Sequence, residues 1–281
     1  MYQAHKFVAL NNRRSIREAN FVSEEAHPTT PAEYPTVDIR PWMHPSSSTV
    51  GERAEVVRQV VQEARGAGSF NIVGHDVNVD TIDRLELSSS KFFTQSRQQK
   101  ESYSINSKDL GGYLRKGLRE TFIHSRFADE RVRAPDYFRV DLEEYSNQMR
   151  LVEIALTNIF EEAFRKTLGI EIGDSHSPGL LKVNRYPASL AQQSSQGDRF
   201  ASHTDFSTLT LIYGNSKGLE EIRDGRFVEV PMPKGQIHCA LGGIYSYWSD
   251  GCFTNNIHRV SNRSDDNEKD RISFAYFCGQ G

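Results

Sequence analysis

The stretch Leu219-Glu-Glu-Ile-Arg-Asp-Gly-Arg-Phe-Val-Glu-Val230 is typical of two short β-strands joined by a tight turn. The pair Asp224-Gly225, between the two strand-like runs, is a strong signal for a β-hairpin. Similar runs, broken by Gly, Pro, Asn and Asp, recur between Leu180 and the C-terminus: Leu180–Val183, Leu209–Tyr213, Ile244–Trp248 and Ile272–Phe277. Several short strands at close spacing predict a sandwich or a barrel such as a jelly roll.

Helical periodicity precedes these strands. Apolar residues recur on one helical face in residues 50–65, 78–94 and 141–168, and Gly66 with Gly68 ends the first of these helices. The inner stripe of the third helix is predicted to consist of Leu151, Ile154, Ala155, Ile159 and Ala163. Helices followed by short strands predict the mainly β class with an α cap.

The overall composition excludes several classes of function. With 34 Lys and Arg against 37 Asp and Glu, the net charge of −3 leaves no basic excess for a nucleic-acid partner. No apolar run is long enough for a membrane span, and no signal peptide opens the chain. The three cysteines form no CxxC pair and leave an odd count, so we expect free thiols in a reducing compartment. We expect a cytoplasmic protein that binds a small molecule, and the sequence does not indicate its oligomeric state.

Two histidines and one aspartate form a candidate metal site. His203 and Asp205 stand two residues apart in a predicted strand that continues into Leu209–Ile212, so both side chains are expected on one face. His258 follows 55 residues after His203 in another β-like run. Two imidazoles and one carboxylate are the facial triad of non-haem Fe(II) oxygenases. Each of these residues taken alone is more often structural.

Arg271 and Ser273 form a candidate carboxylate site at the start of the last predicted strand. The two side chains share a face, and Ile272 between them points the other way. An arginine fork binds a carboxylate through two parallel hydrogen bonds, and a serine hydroxyl adds a third. Taken alone, Arg271 is better explained by pairing with a nearby carboxylate such as Asp270. Together with the triad, it predicts a dicarboxylic oxo acid beside the metal.

These motifs resemble those of a known enzyme family. In this order, His203-x-Asp205, His258-Arg-Val260 and Arg271-x-Ser273 resemble the motif set of the 2-oxoglutarate/Fe(II)-dependent dioxygenases of the isopenicillin N synthase-like group. In the N-terminal part, Gly68–His75 also resembles a segment of the group's helical cap. The likeness covers about residues 34–281.

The segment Leu181–Pro187 resembles the group's Asn-x-Tyr-Pro strand. This resemblance implies that Asn184 and Tyr186 help to hold the 2-oxoglutarate co-substrate. It also suggests that four residues contact the substrate: Phe206, Phe277, Tyr113 and His124. Without the resemblance, the two phenylalanines are most simply explained as core residues.

The resemblance implies both a fold and a reaction. The fold is a double-stranded β-helix (a jelly-roll, cupin-like core) at residues 171–281, in one compact unit with an α/β cap at 34–170, while residues 1–33 are expected to be a flexible arm. The two histidines and the aspartate would hold Fe(II), and the arginine and serine would bind 2-oxoglutarate. With O2, the enzyme would oxidise an unactivated C–H bond of a small metabolite in secondary metabolism, by hydroxylation, desaturation or cyclisation.

Two alternatives stay open at this point. One is an Fe(II) oxidase of the same group that uses no 2-oxoglutarate and binds a substrate carboxylate with Arg271. The other is a non-catalytic protein that binds a small ligand on this fold. Two departures from the group's pattern mildly favour the second alternative: Leu241-Gly-Gly-Ile244 stands where the group commonly has Gly-Asp, and the sequence stops at Gly281, just after the last predicted strand.

Overall fold

The computed structural model describes residues 34–105, 111–125, 134–172, 179–188, 198–262 and 269–279, and the predicted arm at 1–33 lies outside them. The helices are α1 Arg40–Met43, α2 Val50–Arg65, α3 Val79–Phe93, α4 Arg97–Glu101, α5 Asp136–Leu168 and α6 Gly243–Trp248, with a 3-10 turn at Pro45–Ser47. The strands are β1 Thr36–Asp38, β2 Ser69–Val73, β3 Gly112–Lys116, β4 Arg119–His124, β5 Leu180–Tyr186, β6 Phe200–His203, β7 Leu209–Gly214, β8 Leu219–Arg223, β9 Arg226–Glu229, β10 Ile237–Leu241, β11 His258–Val260 and β12 Arg271–Phe277.

The strands form the two sheets of the predicted jelly roll. The larger sheet has eight strands in the order β1-β2-β10-β7-β12-β5-β4-β3, and the smaller has four in the order β6-β11-β8-β9. β1 and β2 pair in parallel, whereas β5, β7 and β12 pair antiparallel at the centre of the larger sheet. Strands from the N-terminal and C-terminal halves therefore share one sheet.

The main hydrophobic core lies between the helices and one face of the larger sheet. Val183 of β5 and Phe274 of β12 are fully buried on this face. The ring of Tyr145 from α5 packs edge-on against Phe274 with centroids 5.3 Å apart. Because strand side chains alternate between faces, their neighbours Asn184 and Ser273 point to the opposite face, towards the smaller sheet.

The predicted helices are confirmed, with one correction. The helix α2 has the predicted bounds and begins at a capping box, in which the side chains of Thr49 and Glu52 accept each other's backbone N–H groups. Leu151 was predicted on the inner stripe of α5, and this is wrong because its side chain is 59% exposed. The buried face runs through Met149 and Val152, and one residue turns a helix by about 100°.

Two strand predictions also need correction. Ile244–Trp248 was predicted as a strand but forms helix α6. Tyr245 of this helix packs against the Phe160 ring of α5 at a centroid distance of 4.8 Å. This packing explains why an aromatic segment that suits either a strand or a helix is helical here. His203 ends β6 in the smaller sheet, and the chain crosses to the larger sheet before β7 begins at Leu209. His203 and Asp205 therefore do not share a strand.

The hairpin between β8 and β9 is confirmed. Asp224 and Gly225 both have left-handed backbone angles, with φ of 50° and 74°. These angles suit the type I′ turn that matches the twist of two antiparallel strands. All three cysteines have free thiols. Within the described ranges, no helix combines the length and the hydrophobicity that crossing a bilayer requires.

Candidate active site

His203 and His258 come from adjacent strands of the smaller sheet. His203 is the last residue of β6, His258 is the first of β11, and the two pair directly in antiparallel register. Their ring centroids lie 4.4 Å apart. Asp205 follows β6 by two residues, at the point where the chain leaves the smaller sheet. The crossing between sheets, rather than strand alternation, brings the carboxylate to the histidines.

The Asp205 carboxylate lies beside both imidazoles. Its Oδ1 is 3.6 Å from His203 Nε2, and its Oδ2 is 3.6 Å from His258 Nε2. One ligand atom from each residue lies within 4.8 Å of the other two. These separations exceed hydrogen-bond lengths, and Asp205 Oδ2 has no hydrogen-bond partner among the described residues. The cluster has the donor set of a facial triad and leaves its ligand atoms available for a metal.

The tautomer of His203 follows from its hydrogen bond. Its Nδ1 lies 2.9 Å from the carbonyl oxygen of Ala201. A carbonyl can only accept, so Nδ1 carries the proton and Nε2 presents a lone pair towards Asp205. Burial, together with the neighbouring His258 ring, lowers the pKa of His203, which favours the neutral form that metals bind.

Arg271 is the most deeply buried cation beside this cluster, with only 1% of its surface exposed. Its Nε donates to the carbonyl oxygens of Ser216 and Lys217 at 3.3 and 3.1 Å. Its Nη1 and Nη2 have no hydrogen-bond partner in the described part of the chain. Gly214 allows this close approach, because a Cβ there would lie 2.8 Å from Nη2.

Asp270 does not neutralise Arg271. Its carboxylate binds Arg185 instead, with Oδ2 2.6 Å from Arg185 Nη2. Burial lowers the pKa of Arg271, and the nearby charge of Arg199 lowers it further. Because a guanidinium stays protonated in proteins, Arg271 is a buried cation whose two terminal nitrogens are not used by any described residue.

The residues predicted to hold the co-substrate lie in two rows across β5 and β12. Tyr186 pairs with Arg271, and Asn184 pairs with Ser273. The Arg271 guanidinium lies 5.4 Å from the centroid of the Tyr186 ring. Asn184 Oδ1 accepts a hydrogen bond from Thr121 at 2.9 Å, which fixes the amide.

A cavity of about 240 Å³ between the two sheets contains both groups of residues. Its walls come from strands of both sheets: Arg119, Lys182, Asn184, Tyr186, Phe200, His203, Asp205, Thr210, Ile212, Leu219, His258, Val260, Arg271, Ser273, Ala275 and Phe277. The structure thus brings together all seven residues predicted to hold the metal and the co-substrate.

The four residues predicted to contact substrate are placed differently from one another. Phe277 lines the cavity, whereas Phe206, Tyr113 and His124 are outside its lining. Phe206 is 47% exposed. Tyr113 is buried in the main core, where its hydroxyl donates to Glu120 Oε1 at 2.6 Å. Of these four residues, only Phe277 lines the cavity that contains the metal cluster.

Two charged residues of the cavity were missed from the sequence. Lys182 precedes Asn184 by two residues on a predicted strand, so the same period-2 argument would have placed it on the cavity face. Arg119 had no comparable signal, because nothing in its neighbourhood identified β4 as part of the cavity wall.

Comparisons with known proteins agree with this geometry. The 2OG-Fe(II) oxygenase superfamily model matches residues 178–280, which contain most of the cavity wall. A second model, the non-haem dioxygenase in morphine synthesis N-terminal region, matches residues 34–146. The chain belongs to the 2-oxoglutarate/Fe(II)-dependent dioxygenases of the isopenicillin N synthase-like family.

Curated proteins similar to this dioxygenase include a flavonol synthase and a 2-oxoglutarate-dependent dioxygenase. Flavonol synthase 1 from Crocosmia x crocosmiiflora is 25% identical over 252 residues, covering 82% of this chain and 73% of the relative. A 2-oxoglutarate-dependent dioxygenase from Didymella fabae is 27% identical over 285 residues, covering 86% of this chain and 84% of the relative. The dioxygenase is accordingly an oxidoreductase that depends on Fe(II), 2-oxoglutarate and O2.

A solved structure confirms the fold of the dioxygenase. The dioxygenase for auxin oxidation from rice superposes on this chain with a TM-score of 0.71 at 22% identity. The match covers 87% of this chain and 82% of the rice protein. The predicted jelly-roll class is therefore confirmed.

Proposed function

We propose that the cluster of His203, Asp205 and His258 binds the Fe(II), and that Arg271 binds the far carboxylate of 2-oxoglutarate. One observation carries the proposal: Arg271 has two buried terminal nitrogens without partners among the described residues, in the same cavity as the cluster. A buried charge without a partner is strongly destabilising. A carboxylate matches the arginine fork with two parallel hydrogen bonds and offsets this cost.

The neighbouring side chains complete the proposed co-substrate site. Ser273 lies two residues from Arg271 on the same face of β12 and offers a hydroxyl to the same carboxylate. The Tyr186 ring lies 5.4 Å from the guanidinium, and Asn184, whose oxygen accepts from Thr121, offers its amide nitrogen as a donor. These contacts orient the oxo acid along the sheet.

The protein contributes ligands, orientation and exclusion of water. When bound, Fe(II) with 2-oxoglutarate and O2 supplies the oxidising power to functionalise an unactivated C–H bond, with succinate and CO2 as co-products. His203 keeps its proton on Nδ1 through Ala201, so Nε2 remains a ligand. The apolar walls Ile212, Leu219 and Phe277 exclude water from the reacting bond.

We further propose that the substrate is a small metabolite of secondary metabolism rather than a macromolecule. A cavity of about 240 Å³ is closer to the size of a compact ligand site than to a docking groove. The outcome, whether hydroxylation, desaturation or cyclisation, depends on which substrate atom faces the metal.

The test is succinate release from 2-oxoglutarate during a screen of small metabolites with the iron-loaded protein. We expect some metabolites to stimulate succinate release in the wild type, and expect Arg271→Met to abolish it. Arg115→Met, which removes an exposed arginine outside the cavity, is the matched control. Metabolite oxidation without succinate would instead identify an oxidase that does not use 2-oxoglutarate.

A further inference from the structure

Two cations in the cavity are not among the residues proposed above to bind the metal or 2-oxoglutarate. Arg119 begins β4, and Lys182 lies on β5. Both side chains line the cavity. Lys182 stands two residues before Asn184, so it projects from the same face of β5.

Neither cation has an anionic partner in the described part of the chain. The Arg119 guanidinium lies 3.8 Å from the centroid of the Phe200 ring, and the Lys182 ammonium lies 4.2 Å from that of Phe277. Asp205 is the sole carboxylate among the described residues that line the cavity. Contacts with ring faces leave the N–H donors of both cations available to an acceptor from a ligand.

The surroundings of Lys182 disfavour the protonated form of its side chain. Burial lowers the pKa of Lys182, the charge of Asp205 raises it, and the charge of Arg119 lowers it. A half-buried ammonium beside another cation gains more from an added anion than a solvated one does, because water screens it less.

The charge balance of a cavity that holds Fe(II) and 2-oxoglutarate also favours an added anion. The two negative charges of 2-oxoglutarate and that of Asp205 equal the charge of Fe(II) plus that of Arg271. Arg119 and Lys182 then remain as two uncompensated positive charges. A carboxylate on the third reactant, the substrate, would compensate one of them.

The position of Lys182 separates it from the 2-oxoglutarate site. Lys182 pairs with Ala275 of β12, whereas Tyr186 pairs with Arg271. Four residues of strand, about 13 Å, lie between these two rows of the sheet. Arg271 and Lys182 therefore rise from opposite ends of the cavity face, which leaves Lys182 for a second ligand.

We propose that the substrate is a small organic acid whose carboxylate binds the Lys182 ammonium, with Arg119 as the second positive charge. Its apolar body would pack against Phe277, Ile212 and Val260, which line the cavity. This proposal rests on the proposed function and names the substrate class for the same site. Lys182 is thus a specificity-determining residue.

The test compares monocarboxylic acids with their uncharged amides. Melting temperature is measured for protein with Mn(II) and 2-oxoglutarate, against phenylacetate, benzoate, cinnamate and octanoate, each paired with its primary amide. We expect at least one acid to bind the wild type about tenfold more tightly than its amide. Lys182→Met should remove this preference, Lys182→Arg should restore it, and Lys116→Met, an exposed charge control, should leave it intact.

Each contrary outcome has a distinct meaning. The proposal is overturned if no acid of the panel binds, if acids and amides bind equally, or if Lys182→Met keeps the preference. It is also overturned if Lys182→Met abolishes stabilisation by 2-oxoglutarate, because Lys182 would then serve the co-substrate. Failure of Mn(II) and 2-oxoglutarate to stabilise the wild type would contradict the proposed function itself, and acid binding is therefore also measured without them.

Discussion

His203 and His258 are direct partners across two short antiparallel strands, with their rings 4.4 Å apart. The strand β6 has four residues and β11 has three, so this pairing has few backbone hydrogen bonds to define it. A metal held by both rings would join the two strands at this point. The proposed iron site is therefore also a structural link within the smaller sheet.

Arg271 should contribute more to 2-oxoglutarate binding than Ser273 does. Hydrogen bonds to charged groups contribute roughly 1.5–3 kcal/mol, against about 1 kcal/mol for neutral ones. We expect Arg271→Ala to remove most of the rise in melting temperature caused by saturating 2-oxoglutarate with Mn(II), and Ser273→Ala to remove less. Arg271→Met preserves side-chain volume and controls for a collapsed cavity. Equal effects of the serine and arginine variants would refute the ranking.

A buried ion cluster behind the cavity should be important for stability. Glu120 accepts from Lys100 at 2.5 Å and from Arg185 at 2.6 Å, and the Lys100 and Glu120 side chains are 9% and 5% exposed. Lys100→Met leaves a buried carboxylate short of a partner, so we expect a loss of about 3 kcal/mol in the free energy of unfolding.

Urea denaturation measures this loss. The matched control is Arg97→Met, which breaks an exposed pair with Glu101, with 81% and 48% of the side chains exposed. That change should cost much less stability, because water screens an exposed ion pair. If the two variants lost the same stability, the buried cluster would have no special role.

Much of the fold was predictable from local patterns, and the exceptions have physical causes. The bounds of α2 and the Asp224-Gly225 hairpin follow from capping and turn chemistry, which act within a few residues. The helix at Tyr245 was not predictable because its packing partner Phe160 lies far away in the sequence. Similarly, Asp205 reaches the histidines through a crossing between sheets, which strand periodicity does not encode.

In the candidate site, too, local patterns predict some features, whereas others depend on residues far away in the sequence. Arg271 and Ser273 follow from alternation on one strand, so the sequence alone placed them together. Whether Arg271 was already paired with Asp270 depended on Arg185, which binds that aspartate from β5. Arg119 and Lys182 line the same cavity because β4 and β5 are neighbours in the larger sheet, and the sequence does not indicate this strand pairing.

Acid should destabilise the protein partly through His238. Burial lowers the pKa of His238 to about 4, so below pH 6.5 the unfolded chain takes up a proton that the folded protein excludes. The free energy of unfolding should therefore fall as pH drops from about 6.5 to 4, with about 3 kcal/mol from this residue. His238→Gln can still donate to Asn71. In this variant the free energy of unfolding, measured from denaturation curves across this pH range, should fall less steeply. An unchanged decline in the variant would exclude His238 as the cause.

Phe277 and Phe206 should differ in their effect on ligand binding. Phe277 lines the cavity and faces the Lys182 ammonium, whereas Phe206 is half exposed outside it. We expect Phe277→Ala to weaken binding of the panel acids by about tenfold, since it removes apolar contact. Phe206→Ala should change binding less. Isothermal titration with the tightest acid checks this, and a larger effect at Phe206 would contradict the cavity assignment.

The most direct test of the account is the iron content of the protein after anaerobic loading with Fe(II) and removal of unbound metal. The wild type should retain one iron per chain, and His203→Ala, Asp205→Ala and His258→Ala should each lose it while circular dichroism shows an unchanged fold. His44→Ala removes an exposed histidine paired with Asp76 and should retain the iron. Full iron retention by any of the three variants would contradict the assignment of that residue as a ligand, and an iron-free wild type would contradict the proposed metal site.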